Sequence, residues 1–547
     1  MPTSAATQNV APDATDATDA TDTTAAASTT TLQAALNRAK PGDTVQLAAG
    51  TYTLDHTLDL RKGVTLAGVG SDTVLASAHN DEAILRIQNE QNGPLTGVRI
   101  CDLTLDGRQG QNLYGVLAYG DNAPIQGLEL HGLHIHHIAD TRPDADAHQF
   151  GVFLTQQVTH ANLTQLSIAD INPQSLWAAG IRMAEGSSHT TVANSHIHRT
   201  GRGGILANAN SDHLVIRNNT ITHSGLAAAA RRQAGDDAAD NDNVARLGIE
   251  LFGGSHDSVV EGNHVDRWIS IDASDRVALR NNTLGPTGPQ DDGGNAFAGI
   301  EIVDARNVVV CGNRIDGNNP DTPDDQCIFG IGMSFSGVET TENVLIYNNI
   351  IRNCNTFALQ VQGDEGGAKH LYFRDNVFEK TTAGPHAFIP HQGHGLRLIN
   401  HVSHVTFDRT VTRQHAGDAI QFCDGDAGGI QHICIAGPAA ADSGNNILPV
   451  NDAAHVQVLA NPGPAPQPTA FTPGQDLTLN FITPQGHPFT PTTVLWDLGD
   501  GPTIVTSSAT LDAKHTASLE PGTLVSAVAF DTSQSGFAQA QSTTLRD

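Results

Sequence analysis

The stretch that decides the fold is residues 179–222, AGIRMAEGSSHTTVANSHIHRTGRGGILANANSDHLVIRNNTIT, which contains one pattern twice. Each copy begins with a small residue and an aliphatic one, at Gly180-Ile181 and Gly204-Ile205. A second apolar strand ending in Asn follows, and a third short strand, such as Thr220-Ile221-Thr222, comes directly after the Asn. The start of the pattern recurs along the chain, at residues 115–117, 151–153, 248–250, 268–270, 299–301, 330–332, 358–360, 395–397 and 419–421.

These repeats predict a right-handed parallel β-helix. Aliphatic side chains alternate at a period of two, which excludes helical solenoids because their period is about 3.6. The spacing between repeats varies from about 19 to 44 residues, so loops of different length leave the coils. Coils stack about 4.8 Å apart, and the Asn of one coil can hydrogen-bond the Asn of the next. We expect an all-β chain of about eleven coils over residues 43–435, followed by a small β-sandwich.

The composition excludes several classes of protein. The 547 residues include 58 Asp+Glu and 29 Lys+Arg, a net charge of −29, so the chain repels phosphate and no nucleic-acid partner is expected. Apolar residues make up 39% of the chain, which is enough to bury a core. No window approaches 18 consecutive apolar residues, so no membrane insertion is expected. The sequence leaves the oligomeric state open.

Composition also divides the chain into segments. Residues 1–30, with repeated Ala-Thr-Asp triplets, predict a disordered acidic tail without the basic start and apolar run of a secretory signal. Residues 31–440 contain the β-helix repeats, and residues 441–469 form a Pro-rich linker. Residues 470–547 show the short alternating strands of an Ig-like β-sandwich. Across such a linker we expect few contacts between β-helix and sandwich.

The entry into the repeats, residues 31–52, predicts a short capping helix followed by a strand. One helix face carries Leu32, Ala35, Leu36 and Ala39, and the helix would cover the open edge of the first coil. This entry and the repeats resemble pectate-lyase-like β-helix proteins over roughly residues 30–440. That superfamily contains polysaccharide lyases, inverting glycoside hydrolases, alginate epimerases, phage tailspikes and non-enzymatic members. The resemblance therefore implies the fold more than one reaction.

A second resemblance lies in the predicted sandwich. Residues 496–501, Trp-Asp-Leu-Gly-Asp-Gly, are similar to the Trp-Asp-Phe-Gly-Asp-Gly signature of PKD-type domains. Such modules are common accessory parts of extracellular carbohydrate enzymes. The resemblance implies an extracellular or periplasmic location and a carbohydrate polymer or oligosaccharide as partner.

Outward positions of the recurring strand form two columns along the β-helix. The first column reads Leu117, Phe153, Arg182, Leu206, Glu250, Ser270, Glu301, Gly332, Gln360, Arg397 and Gln421. The second, two residues on, reads Tyr119, Thr155, Ala184, Asn208, Phe252, Asp272, Val303, Ser334, Gln362, Ile399 and Cys423. In these columns the sequence has acidic residues at three places: Glu250, Asp272 and Glu301.

This carboxylate pattern predicts a catalytic site. Coil spacing and strand rise put neighbours in the trio about 8 Å apart and its ends about 9.6 Å apart. Inverting glycoside hydrolysis uses two carboxyl groups about 6.5–9.5 Å apart, one as acid and one as base. We expect Glu250, Asp272 and Glu301 to be catalytic, with Arg182, Phe252 and Gln360 lining the sugar subsites. Phe252 offers an aromatic face for stacking on a sugar ring.

Two other functions stay open. A uronate lyase or C5 epimerase needs a base for the C5 proton and a cation for the uronate carboxylate, and Arg182 and Arg397 flank the acidic patch. A non-catalytic glycan-binding or structural β-helix would need neither. The leading interpretation is an inverting glycoside hydrolase, because the polar residues of the columns are rich in carboxylates.

No metal or other cofactor is predicted. The His-rich segment 131–137 and the pair His391 and His394 show no three-ligand spacing typical of zinc. Asp-rich loops at residues 140–148 and 236–242 leave calcium open, but they lack the regular spacing of a calcium loop.

Overall fold

The computed structural model describes residues 6–10, 29–90, 92–142, 146, 148–227, 247–285, 299–317, 329–334, 337–354, 357–382, 393–423, 429–436, 440–441, 456–459, 472–482, 488–519, 523–530 and 539–544. The chain divides into two compact units. The N-terminal unit comprises Met1–Ser255 and Asn263–Arg267, and the C-terminal unit comprises His256–Gly262 and Trp268–Asp547. Among the described residues, no helix combines the length and the apolar character needed to cross a membrane.

The N-terminal unit is built from three stacks of parallel strands. The first stack contains Leu58–Leu60, Ala83–Gln88, Tyr114–Tyr119, Phe150–Thr155, Ala179–Met183, Gly203–Ala207 and Leu247–Phe252. The second contains Thr44–Leu47, Thr65–Ala67, Arg99–Cys101, Glu129–His131, Asn162–Thr164, Thr191–Ala193 and Val215–Arg217. The third contains Gly50–Leu54, Thr73–Ser77, Thr104–Asp106, His134–Ile138, Ser167–Ile171, His196–Thr200, Thr220–Thr222 and His264–Val265. Short strands at Leu95–Thr96, Ile125–Gln126 and Val158–Thr159 form a small extra sheet.

The β-helical part of the C-terminal unit has the same three kinds of stack. Its first stack contains Trp268–Asp272, Ile300–Val303, Ile331–Met333 and Ile420–Cys423. Its second contains Ser258–Glu261, Val277–Arg280, Arg306–Cys311, Thr341–Tyr347, Gln431–Ala436 and Val456–Leu459. Two long strands, Phe357–Arg374 and His394–Asp408, run through both stacks. The third contains Thr283–Leu284, Arg314–Asp316, Ile350–Arg352, Val377–Glu379, Val411–Arg413 and Ala440–Ala441. The predicted all-β parallel β-helix is confirmed.

The core consists of aliphatic columns that the strand register holds in line. In the N-terminal unit, one column of the first stack is fully buried, and it contains Val116, Val152, Ile181, Ile205 and Ile249. Each side chain therefore packs on its equivalent in the next coil at the strand spacing of about 4.8 Å. The period-two pattern of the sequence corresponds to this inward-facing column.

The small residue before each aliphatic one has a steric cause. A Cβ added to Gly115, Gly151, Gly180 or Gly204 would lie 2.4–2.7 Å from the Cγ2 of an isoleucine in the third stack. The same Cβ would lie 2.6–2.8 Å from the carbonyl oxygen of the next residue in the glycine column. These contacts are shorter than side-chain packing allows, so glycine is required where the first and third stacks meet.

The N-terminal edge of the first coil is covered by a helix and by a strand. The helix Thr29–Arg38 buries three of the four predicted residues, Leu32, Ala35 and Leu36, and Ala39, directly after the helix, is also buried. Its Gln33 side chain bonds the edge strand Leu58–Leu60: Nε2 donates to the Asp59 carbonyl at 3.0 Å, and Oε1 accepts from the Asp59 N–H at 2.8 Å. These bonds satisfy backbone groups that an exposed sheet edge would leave unpaired.

The prediction of a disordered tail is wrong for residues 7–10. Residues Thr7–Val10 form a strand that pairs in parallel with Thr44–Leu47, residue for residue. The Ala6 N–H also donates to Asp43 Oδ1 at 2.9 Å. The backbone of the second stack offers an open edge, and any short extended segment with alternating side chains can occupy it. Composition alone does not reveal this pairing.

The predicted asparagine turns form hydrogen-bonded ladders in both units. In the N-terminal unit, both the backbone N–H and the side-chain Nδ2 of Asn219 donate to Oδ1 of Asn263 at 3.0 Å. Asn219 Oδ1 accepts from the Ser195 N–H at 3.0 Å, and Nδ2 also donates to the Val192 carbonyl. In the C-terminal unit the same arrangement links Asn282, Asn313, Asn349 and Asn376 at 2.9–3.1 Å. The amides thus replace backbone bonds that the turns interrupt.

Removing one amide from this ladder tests its contribution. In Asn219→Ala, the buried Ser195 N–H and Val192 carbonyl lose their partner, and each buried unsatisfied group costs about 1–3 kcal/mol. We expect a lower unfolding free energy in urea, followed by circular dichroism. The control is Asn162→Ala, at an exposed strand position. Equal destabilisation of both variants would contradict a structural role for the ladder.

The last part of the C-terminal unit is an antiparallel β-sandwich, as predicted. Its largest sheet contains Ile504–Thr506, Thr493–Asp497, Leu524–Phe530 and Gln539–Thr544 in that order. Leu477–Thr478 pairs with Thr510–Leu511, Phe481–Ile482 pairs with Pro488–Phe489, and a short helix spans Ala513–Thr516. Trp496 is fully buried and donates from Nε1 to Thr506 Oγ1 at 2.9 Å. The segment boundaries predicted from the sequence, 31–440, 441–469 and 470–547, stay predictions.

The sandwich packs against the second stack of the same unit through a buried ion pair. Arg280 donates from Nε and Nη2 to Asp497 Oδ1 at 3.0 and 2.6 Å. The other carboxylate oxygen accepts from the Tyr347 hydroxyl at 2.6 Å. Burial alone would raise the pKa of Asp497, but Arg280 and Tyr347 hold it below its usual value. Asp497 belongs to the PKD-like motif, so a motif residue anchors the sandwich.

An apolar cluster surrounds this ion pair. It contains Val309, Cys311, Leu345, Tyr347 and Tyr372 of the second stack together with Leu495, Val528 and Phe530 of the sandwich. Arg374 lies over the Tyr347 ring at 5.0 Å and donates to Ser526 Oγ at 3.4 Å. The expectation of few contacts across the linker is wrong, because the outward face of the second stack is apolar here and the sandwich buries it.

Breaking the ion pair should destabilise the protein strongly. Asp497→Ala leaves the buried Arg280 guanidinium without its carboxylate, and removal of one partner of a buried pair costs about 3–5 kcal/mol. We expect the midpoint of unfolding to shift to a lower urea concentration, and we expect faster proteolysis of the sandwich. The control is Asp500→Ala, which removes an exposed carboxylate of the same motif. An unchanged unfolding midpoint in Asp497→Ala would contradict the anchoring role.

Candidate active site

The register between strands confirms the first predicted column within each unit. In the N-terminal unit Leu117, Phe153, Arg182, Leu206 and Glu250 occupy paired positions of successive strands. In the C-terminal unit the paired positions are Ser270, Glu301, Gly332, Gln360, Arg397 and Gln421. The predicted carboxylates are divided: Glu250 belongs to the N-terminal unit, and Asp272 and Glu301 to the C-terminal unit. Their joint catalytic role stays a prediction.

Glu250 lies in the N-terminal unit beside two guanidinium groups. Arg202 Nη2 donates to Glu250 Oε1 at 3.4 Å, and the two side chains are 16% and 15% exposed. Burial raises the pKa of Glu250, and the positive charges of Arg202 and Arg182 lower it in part. Burial is the larger influence, so the carboxyl keeps its proton to a higher pH than an exposed glutamate.

Both guanidinium groups stack on aromatic rings. Arg182 lies over Phe150 with its Cζ 5.2 Å from the ring centroid, and Arg202 lies over Trp177 at 5.1 Å. Burial lowers the pKa of Arg182. Such cation–π contacts hold a planar cation in place while its edge N–H groups stay able to donate.

The aromatic rings extend this site to either side. Tyr114 stacks on Phe150 with centroids 5.8 Å apart, and Phe153 lies 5.2 Å from Tyr114 and 5.1 Å from Phe150. Burial raises the pKa of Tyr114 to about 12. On the other side, the His148 ring lies 5.4 Å from Trp177.

Two aromatic side chains of the N-terminal unit face solvent. Trp177 is 40% exposed and Phe252 is 43% exposed. Phe252 ends the same strand that carries Glu250, as the sequence predicts. Exposed aromatic faces beside hydrogen-bonding groups are suited to the C–H faces of sugar rings.

The C-terminal unit carries the remaining predicted residues. Ser270 Oγ donates to Glu301 Oε2 at 2.7 Å, and Asp272 pairs in register with Val303. Gln360 is 3% exposed, donates to Gln362 Oε1 at 3.1 Å and accepts from Arg397 Nη1 at 3.2 Å. Its amide is thus engaged within the protein, and a sugar contact at Gln360 would have to replace these bonds.

Sequence reasoning missed several members of the site. Trp177 and Arg202 lie just before the strands Ala179–Met183 and Gly203–Ala207, and Tyr114 and Phe150 are paired first residues of their strands. Extending the first column by three positions toward the N-terminal end of each strand would have included Tyr114 and Phe150. It would not have included Trp177 and Arg202, which lie five positions before Arg182 and four positions before Leu206. For Tyr114 and Phe150, the repeated strand pattern was a sufficient signal. The spacing of Trp177 from its strand depends on a loop whose conformation the composition does not define.

The predictions about metal ions and about the Asp-rich loops stay predictions. The loop 236–242 and His391 lie outside the described residues. In the loop 140–148, Asp140 bonds the Arg142 guanidinium, which lowers the pKa of the Asp140 carboxyl. Among the described residues, two groups combine three potential metal ligands: Asp106–His136–His137 and His189–Asp212–His213. Each group combines residues from different coils, so the spacing of these residues in the sequence does not reveal the group.

The raised pKa of Glu250 makes a prediction about stability. The folded chain holds the Glu250 proton more tightly than the unfolded chain does. The contribution of this proton to the unfolding free energy of the wild type is therefore lost as the pH rises from about 4.3 through the folded pKa. Glu250→Gln cannot ionise, so its melting temperature should rise relative to wild type over the same range. Thermal unfolding at a series of pH values measures this difference. The control is Glu82→Gln, at an exposed position. A pH-independent difference for Glu250→Gln would contradict the burial effect.

The comparisons with known proteins concern the fold. No curated protein matches the chain. Similar solved structures include the A-module of Azotobacter vinelandii mannuronan C-5 epimerase AlgE4, with 15% identity, 63% of this chain and 90% of that chain covered, and a TM-score of 0.41. Another is PfbA, a surface adhesin of Streptococcus pneumoniae, with 12% identity, 73% and 89% covered, and a TM-score of 0.48. A third is the catalytic domain of a GH87 alpha-1,3-glucanase in complex with tetrasaccharides, with 13% identity, 76% and 63% covered, and a TM-score of 0.35.

A family model gives the direct match. The model described as a right handed beta helix region matches residues 109–319. The match includes Arg182, Arg202 and Glu250. The resemblance to PKD-type domains stays a prediction. The resemblance of the repeats to right-handed parallel β-helix proteins is confirmed.

Proposed function

We propose that the protein is a carbohydrate-active enzyme that cleaves glycosidic bonds of a polysaccharide or oligosaccharide, with Glu250 as proton donor. The observation that carries the proposal is the largely buried Glu250 carboxyl, whose pKa is raised, beside Arg182, Arg202 and the exposed ring of Trp177. An acid, cations and an aromatic face are the groups that a sugar-cleaving site combines.

The acid role follows from the surroundings of Glu250. Cleavage of a glycosidic bond requires a proton on the leaving oxygen, and an exposed glutamate is ionised at neutral pH. Burial shifts the equilibrium toward the protonated form, as general acid catalysis requires. An inverting hydrolase also needs a carboxylate base, and for that role Asp272 and Glu301 stay the residues predicted from the sequence.

The neighbours of Glu250 supply sugar-binding groups. Trp177 and Phe252 are 40% and 43% exposed, so a sugar ring can contact the exposed parts of their rings. Arg182 and Arg202 carry guanidinium donors that can bond hydroxyl or carboxylate oxygens. We further propose an extracellular or periplasmic location, where polymeric carbohydrate is available.

Uronate elimination or C5 epimerisation is the second candidate, and one observation favours it. Two guanidinium groups act on a single carboxyl, and in that chemistry a cation neutralises the uronate carboxylate while a base removes the C5 proton. In that case Glu250, once ionised, would be the base. Elimination leaves an unsaturated sugar that absorbs in the ultraviolet, whereas hydrolysis adds reducing ends without this absorbance.

Product analysis tests the proposal. The full chain is incubated with a panel of plant, algal and bacterial polysaccharides, and released oligosaccharides, reducing ends and ultraviolet absorbance are measured. On the substrate that wild type cleaves, Glu250→Gln should lower the rate by about 10²–10⁴. Trp177→Ala should mainly raise KM, because it removes a stacking face. Asp272→Asn and Glu301→Gln in the same assay test the other two predicted carboxylates.

The controls separate catalysis from folding. Glu82→Gln changes an exposed glutamate of the same unit and should cleave at the wild-type rate. Circular dichroism and thermal unfolding show whether each variant is folded. A wild-type rate in Glu250→Gln would overturn its role. Binding of glycans by wild type with neither cleavage nor inversion at C5 of the bound uronate would favour a non-catalytic β-helix.

A further inference from the structure

The third stack of the N-terminal unit carries a group of nitrogen and oxygen ligands that the proposed active site does not use. Asp106 Oδ1 lies 3.3 Å from Nδ1 of His136 and 3.7 Å from Nδ1 of His137. The two imidazole Nδ1 atoms approach each other to 2.7 Å. At that separation they either share a proton or bind the same third atom. The three donor atoms thus converge on one point.

The backbone brings these three side chains together from two coils. Asp106 and His136 occupy paired positions in the strands Thr104–Asp106 and His134–Ile138, so they are neighbours at the strand spacing. Adjacent residues of a strand normally point to opposite faces. His137 has a left-handed φ of 57°, which turns its ring to the side of His136.

The same corner in the following coils is occupied in a different way. Asp170 and Arg199 also have left-handed φ angles, of 54° and 58°. There Arg199 Nε donates to Asp170 Oδ1 at 2.8 Å, so a permanent cation neutralises the acid. At the Asp106 corner two imidazoles, which can be neutral, face the carboxylate instead. This corner therefore offers lone pairs where its neighbour offers an ion pair.

We propose that Asp106, His136 and His137 bind a divalent first-row transition-metal ion. Two imidazole nitrogens and one carboxylate oxygen are a donor set that such ions prefer, whereas calcium prefers oxygen ligands alone. The side chains are 20%, 27% and 37% exposed, so an ion can enter from solvent and keep water in its remaining positions.

The separation of the nitrogens favours a six-coordinate ion. Two nitrogens 2.7 Å apart, each about 2.1 Å from one ion, subtend an angle of about 80°. That angle is closer to the right angle of octahedral coordination than to the tetrahedral angle of structural zinc. We therefore expect Ni²⁺ and Co²⁺ to bind more readily than Zn²⁺.

This inference differs from the sequence prediction of no metal site. His136 and His137 are adjacent, and adjacent ligands are not a spacing that identifies a metal site. The third ligand, Asp106, lies 30 residues earlier and reaches the histidines through the register of the coils. Only the pairing of the strands reveals the group.

Titration with Ni²⁺ and Co²⁺ tests the proposal. Tag-free full-length protein is treated with a chelator, dialysed and titrated by calorimetry, and the visible spectrum of bound Co²⁺ reports its ligands. We expect one ion per chain at this group and a higher melting temperature with saturating Ni²⁺. His136→Gln and His137→Asn each remove an imidazole ligand, so each should abolish both effects. Asparagine is used at position 137 because it tolerates the left-handed conformation found there. Asp106→Asn keeps the shape of the side chain and should weaken binding.

Two matched controls make the result specific. His134→Gln changes an exposed histidine of the same strand, and His213→Gln changes the second histidine-rich group, His189–Asp212–His213. Both should keep the ion that depends on His136. Absence of binding, equal binding in folded His136→Gln and wild type, or loss in His213→Gln alone would each overturn the proposal. Circular dichroism confirms folding of every variant.

Discussion

The parallel register between neighbouring coils is the constraint on which the rest of the structure depends. Each strand must pair its backbone with the strand before and after it, so equivalent residues lie one above another at a fixed spacing. Val116, Val152 and Ile181 are buried for this reason, and Gly115, Gly151 and Gly180 are glycines for the same reason. A substitution at one such position is therefore judged against its neighbours in the column, and not against its neighbours in the chain.

The register also explains how much of the protein could be predicted from the sequence. The strands, the inward aliphatic columns and the asparagine ladder follow from residues that repeat at equivalent places, and these predictions are confirmed. Contacts made by residues that do not repeat could not be predicted. Arg202 reaches Glu250 from a position 48 residues earlier, just before the strand Gly203–Ala207. Thr7–Val10 pairs with a distant edge through backbone groups that every sequence has.

The sandwich illustrates a different limit of sequence reasoning. The motif at residues 496–501 predicts a β-sandwich, but it does not show what Asp497 contacts. Arg280 and Tyr347 come from the β-helix of the same unit, and each would be an unremarkable outward position if the sandwich were absent. A buried ion pair adds little net stability compared with apolar packing, yet it is costly to break, so it fixes where the sandwich docks. Apolar residues around it, such as Val309 and Val528, supply the packing energy.

If Glu250 is the acid that we propose, its surroundings connect substrate binding to acid strength. The Arg202 guanidinium contacts both the ring of Trp177 and the carboxyl of Glu250. A sugar that stacks on Trp177 would compete with Arg202 for that ring, and a displaced Arg202 would no longer lower the pKa of Glu250. Substrate would also exclude water from the carboxyl, which acts in the same direction because burial is what raises this pKa. If the substrate carried its own carboxylate, Arg202 would have a new partner, and the loss of its charge near Glu250 would be greater. Binding of the sugar would then favour the protonated state of Glu250, which hydrolysis requires. The same change would disfavour the ionised state, which a base for elimination requires. The response of the Glu250 pKa to bound sugar therefore distinguishes the two reactions.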